Sequence, residues 1–115
     1  MRLIRQLLTT FIALAVCSNA YSETAVCSGS VTLVAQHAPG WAVVVVGNST
    51  RILMCNLDNA SFNVTPQGCK AFFALALAAQ AENKSAVLYV DNAPTTSCAD
   101  IPFFHIANTR FFAVQ

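Results

Sequence analysis

The apolar and polar positions along this chain follow two periods, and the changes between them divide it into elements. Ser28-Gly29-Ser30-Val31-Thr32-Leu33-Val34 alternates polar and apolar after Gly29, the pattern of a half-buried strand. Tyr21 to Val26 before it reads as a flexible lead-in. His37-Ala38-Pro39-Gly40 is a turn, and Trp41 to Val46 is a continuous apolar run ending in four valines. Valine favours extended backbone, so this run predicts a central strand buried on both faces. Gly47-Asn48-Ser49-Thr50 predicts a hairpin turn, with Arg51 to Leu57 returning as a third strand. Asp58-Asn59-Ala60 turns again, and Ser61 to Val64 is a short extended piece.

At Thr65 the period changes to that of a helix. Thr65 can accept from the first free amides, and Pro66 suits the first helical position because its missing N–H costs nothing there. Cys69 to Ala81 contains no Gly, Pro or β-branched residue. Cys69, Phe72, Phe73, Ala76 and Leu77 share one face, and Ala71, Ala74, Leu75, Ala78 and Ala79 make the other almost as apolar. Such a helix is wrapped by its own domain or buried against another chain. Gln80 to Ser85 ends it. Ala86 to Val90 is then a strand, Asp91 to Cys98 a polar loop with Pro94, Ile101 to Ile106 another apolar segment, and Arg110 to Val114 a closing strand.

The predicted fold class is mainly β with one helix, in the order β-β-β-α-β-β. A helix between the third and fourth strands is the order of a five-stranded OB-fold-like barrel.

The start of the chain changes what counts as the domain. Met1, Arg2 and Arg5 form a positive start, Leu7 to Val16 an apolar core, and Ser18-Asn19-Ala20 offers small residues where a signal peptidase reads. The apolar core is about half of a membrane-spanning helix. Leu14-Ala15-Val16-Cys17 approaches a lipobox, but Val16 is too large for the position before a lipidated cysteine. Residues 1–20 therefore read as a cleaved signal peptide, and 21–115 as a single domain, secreted or periplasmic, with no membrane span after signal removal.

In that domain Arg51, Lys70, Lys84 and Arg110 face Glu23, Asp58, Glu82, Asp91 and Asp100. A near-neutral, sparsely charged chain has no basic stripe for phosphates, which argues against nucleic acid, and no polybasic face for anionic lipid. Its high apolar content points to a surface covered by a partner or by self-association. Cys27, Cys55, Cys69 and Cys98 imply two disulfides with three possible connectivities. They are too far apart for a zinc knuckle, and no metal or other cofactor is expected.

Little in the chain suggests catalysis. His37 sits in a turn and His105 in an apolar segment. A hydrolase would need both histidines and an acid in one cleft. Asp91, Asp100 and His105 could converge at one end, but three scattered polar residues do so by chance, and no GxSxG, HExxH or phosphate loop occurs. The expectation is a non-enzyme. Asn48-Ser49-Thr50, Asn59-Ala60-Ser61, Asn63-Val64-Thr65 and Asn83-Lys84-Ser85 match the glycosylation pattern but read first as turn residues. Binding candidates lie at strand ends and loops: Ser28, Trp41, Tyr89, Asp91 and Asn92. A sugar is held by an aromatic face under its ring and by hydroxyl, amide or carboxylate groups at its rim. Trp41 reads equally well as core or rim packing.

Cys27-Ser28-Gly29-Ser30-Val31-Thr32-Leu33 with His37 and Gly40 resembles the first strand of subtilase-cytotoxin-type B subunits, relatives of the pertussis-like toxin B subunits. The helix, its polar turn and Ala86-Val87-Leu88-Tyr89-Val90-Asp91 are similar to that family's helix–turn–strand unit. Ile101-Pro102-Phe103-Phe104 through Ala107-Asn108-Thr109 is similar to its Pro-aromatic segment. The chain equally resembles small exported bacterial proteins with a central cysteine, an Ala/Leu helix and a late cysteine. The toxin resemblance implies an OB fold, a homopentamer, a host glycan pocket and a catalytic A-type subunit as partner. It also assigns Ser28 the role of a glycan contact. The family's tyrosine falls on Val90 here, with Tyr89 beside it on the opposite face. The family's cysteine on the second strand has no counterpart. The disulfides must therefore differ from the family's, and the pairing preferred here is Cys55–Cys98 with Cys27–Cys69.

The chain is thus expected to be an exported binding module, resembling a glycan-binding B subunit, with Ser28, Tyr89, Asp91 and Asn92 at its site. The alternative is a monomeric, disulfide-stabilised periplasmic accessory protein that binds another protein.

Overall fold

Strand β1 (Glu23–His37) is long because its two halves have different partners. Through Glu23–Ser30 it pairs antiparallel with β4 (Ser85–Ala93), and through Val31–His37 with β2 (Trp41–Val46). The structure is a computed structural model that describes residues 23–115. The expected signal peptide, residues 1–20 with Cys17, lies outside the described residues.

Strand β3 (Ile52–Asn56) follows β2 as a hairpin, α1 (Pro66–Ala81) precedes β4, and β5 (His105–Ile106) and β6 (Thr109–Val114) end the chain. The hydrogen-bonded order among the described residues is β5-β3-β2-β1-β4-β6. This is a mainly β domain with one helix and a six-stranded open sheet. The expected closed five-stranded barrel is corrected accordingly. Pro102 has no amide to donate, and Phe104 adopts a left-handed backbone with φ of 57°, so Ile101–Phe104 turns instead of pairing. Only two residues, His105 and Ile106, pair with β3, in parallel. The chain then crosses to the other edge of the sheet, where β6 pairs with β4. Ala107 donates to Leu53 O at 2.9 Å, Asn108 O accepts from Asp91 N at 2.9 Å, and Thr109 Oγ1 donates to Met54 O at 2.7 Å. The two edges are thereby tied by a short irregular link.

The lead-in expected over Tyr21 to Val26 is also corrected: from Glu23 the chain is already β1. Ala25 and Cys27 alternate inward into the core, so burial and the β4 ladder extend the strand beyond Ser28. At its far end β4 likewise runs on to Ala93, into the expected polar loop.

Helix α1 begins as its residues dictate, with Thr65 Oγ1 accepting from Gly68 N at 3.0 Å and Pro66 in the first turn. It buries Cys69, Ala76 and Ala79 with Phe72 against the sheet, while Ala71, Ala74, Leu75, Leu77 and Ala78 are exposed. The domain covers one face of the helix.

The disulfides are Cys27–Cys98, with Cα atoms 5.3 Å apart, and Cys55–Cys69, at 5.6 Å. The expected Cys55–Cys98 and Cys27–Cys69 pairing is therefore wrong. Cys69 faces the core from the first turns of α1, where it meets Cys55 on β3. The loop after β4 brings Cys98, in a single 3₁₀ turn (Cys98–Asp100), back over Cys27 on β1.

Candidate functional site

Side chains alternate across a strand, so burial of Ala25 and Cys27 on β1, of Leu88 and Val90 on β4, and of Phe112 on β6 sends their neighbours outward. The register aligns these outward positions in rows. Val26, Tyr89 and Phe111 stand side by side, and Ser28, Val87 and Ala113 form the next row. Val26 is 48% and Phe111 47% exposed, so the rows make an open platform.

Its aromatic part is a pair. The Tyr89 and Phe111 rings are 5.2 Å apart at 56°, and the Arg110 guanidinium carbon lies 5.2 Å from the Tyr89 centroid. A bulge in the β4–β6 register releases Arg110 to reach back over this ring. Arg110 Nε is 3.0 Å from each oxygen of Asp91, and Thr24 Oγ1 donates to the same carboxylate at 3.1 Å. Both partners are exposed enough for water to screen the pair, so it orients the two side chains more than it stabilises the fold.

Beyond the ion pair is a cleft of about 320 Å³ between the start of α1 and the β4–β6 end, lined by Asn63, Thr65, Phe72, Asp91, Asn108 and Arg110 among others. Amide, hydroxyl and charged groups converge here on one aromatic wall. This lining can hydrogen-bond a polyhydroxylated ligand.

Three of the four expected binding residues, Ser28, Tyr89 and Asp91, share this face. Asn92 does not, because the next residue along a strand points the other way. Its Nδ2 donates to Ile106 O at 2.9 Å, and its Oδ1 accepts from Asn108 N at 2.6 Å. Asn92 therefore secures the link between the sheet edges. Trp41 is half-buried and pairs with His37, nine residues and roughly 30 Å along β1 from Ser28.

The residues of the hydrolase alternative are engaged separately. His37 Nδ1 donates to Ala38 O at 2.8 Å, and its ring lies against Phe104. His105 Nε2 is 3.1 Å from Asn92 O, and burial pushes its pKa below the ordinary 6.5, a shift partly offset by that backbone hydrogen bond. Asp91 is held by Arg110 and Thr24. Among the described residues no three His, Cys, Asp or Glu side chains gather as metal ligands, and no helix is long and apolar enough to cross a membrane.

Phe111 and Arg110 escaped the sequence reading. The signal for Phe111 was present: two consecutive phenylalanines in one strand cannot both enter the core. Arg110 had no such signal, because its reach depends on the bulge. Comparison with protein-family models, curated proteins and solved structures gives no significant match, so the toxin resemblance gains no support from them.

Proposed function

We propose that this protein is an exported, non-enzymatic binding module that takes a glycan on the outer face of β1, β4 and β6. Tyr89 and Phe111 carry the sugar ring, the Ser28 hydroxyl lies at its edge, and Asp91 with Arg110 supplies the polar end that continues into the cleft. The observation that supports it is the meeting of Ser28, Tyr89 and Asp91 on one face beside an exposed Phe111. Apolar ring surface with a few directional polar groups is the chemistry that sugars require.

The test is a glycan array followed by titration of the best saccharide. Tyr89→Ala and Phe111→Ala are each expected to weaken binding at least tenfold, and Ser28→Ala a few-fold. Absence of any saccharide ligand, or retention of affinity in both aromatic variants, would overturn the reading.

The exposed apolar helix face, with Leu75 and Leu77, favours a protein contact as well. In the toxin-like form of the proposal this face packs in a five-membered ring beside a catalytic subunit. In the alternative, a monomeric periplasmic accessory protein uses it to bind a different protein. Light scattering separates the two: five-fold mass supports the ring, and monomer mass the accessory protein.

A further inference from the structure

The second half of the sheet is apolar on both sides. Ala42, Val44, Val46, Ile52 and Met54 enter the main core, so Val43, Val45 and Leu53 point to the opposite side of the sheet, where Val43 and Leu53 are nonetheless buried. The register sets Leu33 beside Val45, and Ala35 beside Val43, beside Leu53, beside Ile106.

Over this face lies a pocket of about 240 Å³. Its floor is Leu33, Ala35 and Val43, and its walls are His37 and Phe104, with ring centroids 5.2 Å apart. Phe104 is 41% exposed and held in the left-handed region, an unfavourable conformation for a bulky side chain. Its amide donates to Arg51 O at 2.7 Å, and Thr50 Oγ1 donates to Ile101 O at 2.7 Å. The loop is thus anchored so that an aromatic ring stands beside the pocket instead of filling the core.

Gln36 and Arg51 complete the lining, which contains no acidic residue. Among the described residues the ion pairs are Lys84–Glu82 and Arg110–Asp91, so no described carboxylate neutralises Arg51. A guanidinium at the mouth of an apolar pocket matches a planar carboxylate carried on an apolar body. We infer that this pocket is a second binding site, for a small free monocarboxylate with an aliphatic or aromatic tail. The volume is that of about eight waters, which suits a tail of medium length. The site stands independently of the glycan reading, since the two use different halves of β1.

The test titrates the oxidised protein with sodium octanoate. It follows the fluorescence of Trp41, the only tryptophan, which shares a β2 face with Val43, and the amide NMR shifts of Leu33, Ala35 and Phe104. Saturable binding at millimolar concentration or below is expected, with those amides shifting. 1-Octanol, which has the same tail without the charge, and the Arg51→Gln variant should each bind about tenfold more weakly. Tyr89→Ala should leave octanoate affinity unchanged. Equal binding of octanol and octanoate by the unaltered protein would overturn the inference without relying on any variant. Failure to saturate would also overturn it, as would full affinity in Arg51→Gln. A blocked peptide ending in a leucine carboxylate that binds more tightly than octanoate would overturn the assignment to a free acid.

Discussion

Gly29 and Gly47 meet backbone to backbone. A Cβ on Gly29 would lie 2.7 Å from Gly47 Cα, and one on Gly47 would run into the carbonyl oxygen of Ser28. The contact falls where β1 changes partner, since Ser30 is its last residue on β4 and Val31 its first on β2. Gly47 N donates to Ser30 O at 2.9 Å, closing the junction. Both glycines also have positive φ, 140° and 60°. The change of partner that separates the two proposed sites rests on this approach, which no side chain could occupy.

Gly47→Ala is accordingly expected to destabilise the domain by roughly 2–4 kcal/mol, through backbone strain together with a clash against main chain that cannot move aside. Urea unfolding of the oxidised protein measures it. A loss below about 0.5 kcal/mol would show that the junction relaxes freely.

The disulfide pairing can be read from one digest. Trypsin cuts after Arg51, Lys70, Lys84 and Arg110. Cys55 and Cys69 then share peptide 52–70, while Cys98, on 85–110, stays joined to the peptide carrying Cys27. A non-reduced mass map should show 52–70 alone and two hydrogens lighter than its reduced form. Either other connectivity would join all three cysteine peptides. Because it closes the longer loop, with a sequence separation of 71 against 14, Cys27–Cys98 should contribute about 4 kcal/mol and Cys55–Cys69 about 3. Paired Cys→Ser variants measured by urea unfolding test that order.

His105 gives the fold an acid sensitivity. Burial lowers its pKa, so the unfolded chain binds the proton more readily than the folded one. Its contribution is therefore fully present above pH 6.5 and is lost as pH falls through the lowered folded value. The urea midpoint should decline below about pH 6.5, and His105→Asn should reduce that slope. An unchanged slope would show that other groups carry it.

Asn92→Ala should act on stability. It leaves the Asn108 amide and the Ile106 carbonyl without their side-chain partner, at a cost of roughly 1–3 kcal/mol. Saccharide affinity should stay within about twofold, because the side chain faces away from the platform. A larger loss of affinity with stability intact would return Asn92 to the site.

The local elements were legible in the sequence because short-range rules govern them. Thr65 and Pro66 set the start of the helix, the valines of Trp41–Val46 imply a strand apolar on both faces, and Gly47 ends that strand. Four cysteines outside residues 1–20 implied two bridges. The separation of Tyr89 and Asp91 from Asn92 came only with the extension of β4 to Ala93, and their common face with Ser28 required the β1–β4 register.

Only the tertiary structure decided which cysteines pair, because that depends on where the helix and the loop after β4 return to the sheet. Tertiary contacts also sent the two segments flanking Ala107–Asn108 to opposite edges of the sheet and extended β1 back to Glu23, where pairing with β4 outweighs a weak local preference. The same contacts brought Arg110 over Tyr89, and set Arg51 and Phe104 around one pocket from segments half the domain apart. The physical reason is distance along the chain: spacing carries information about neighbours, whereas these groups meet only after long loops have closed.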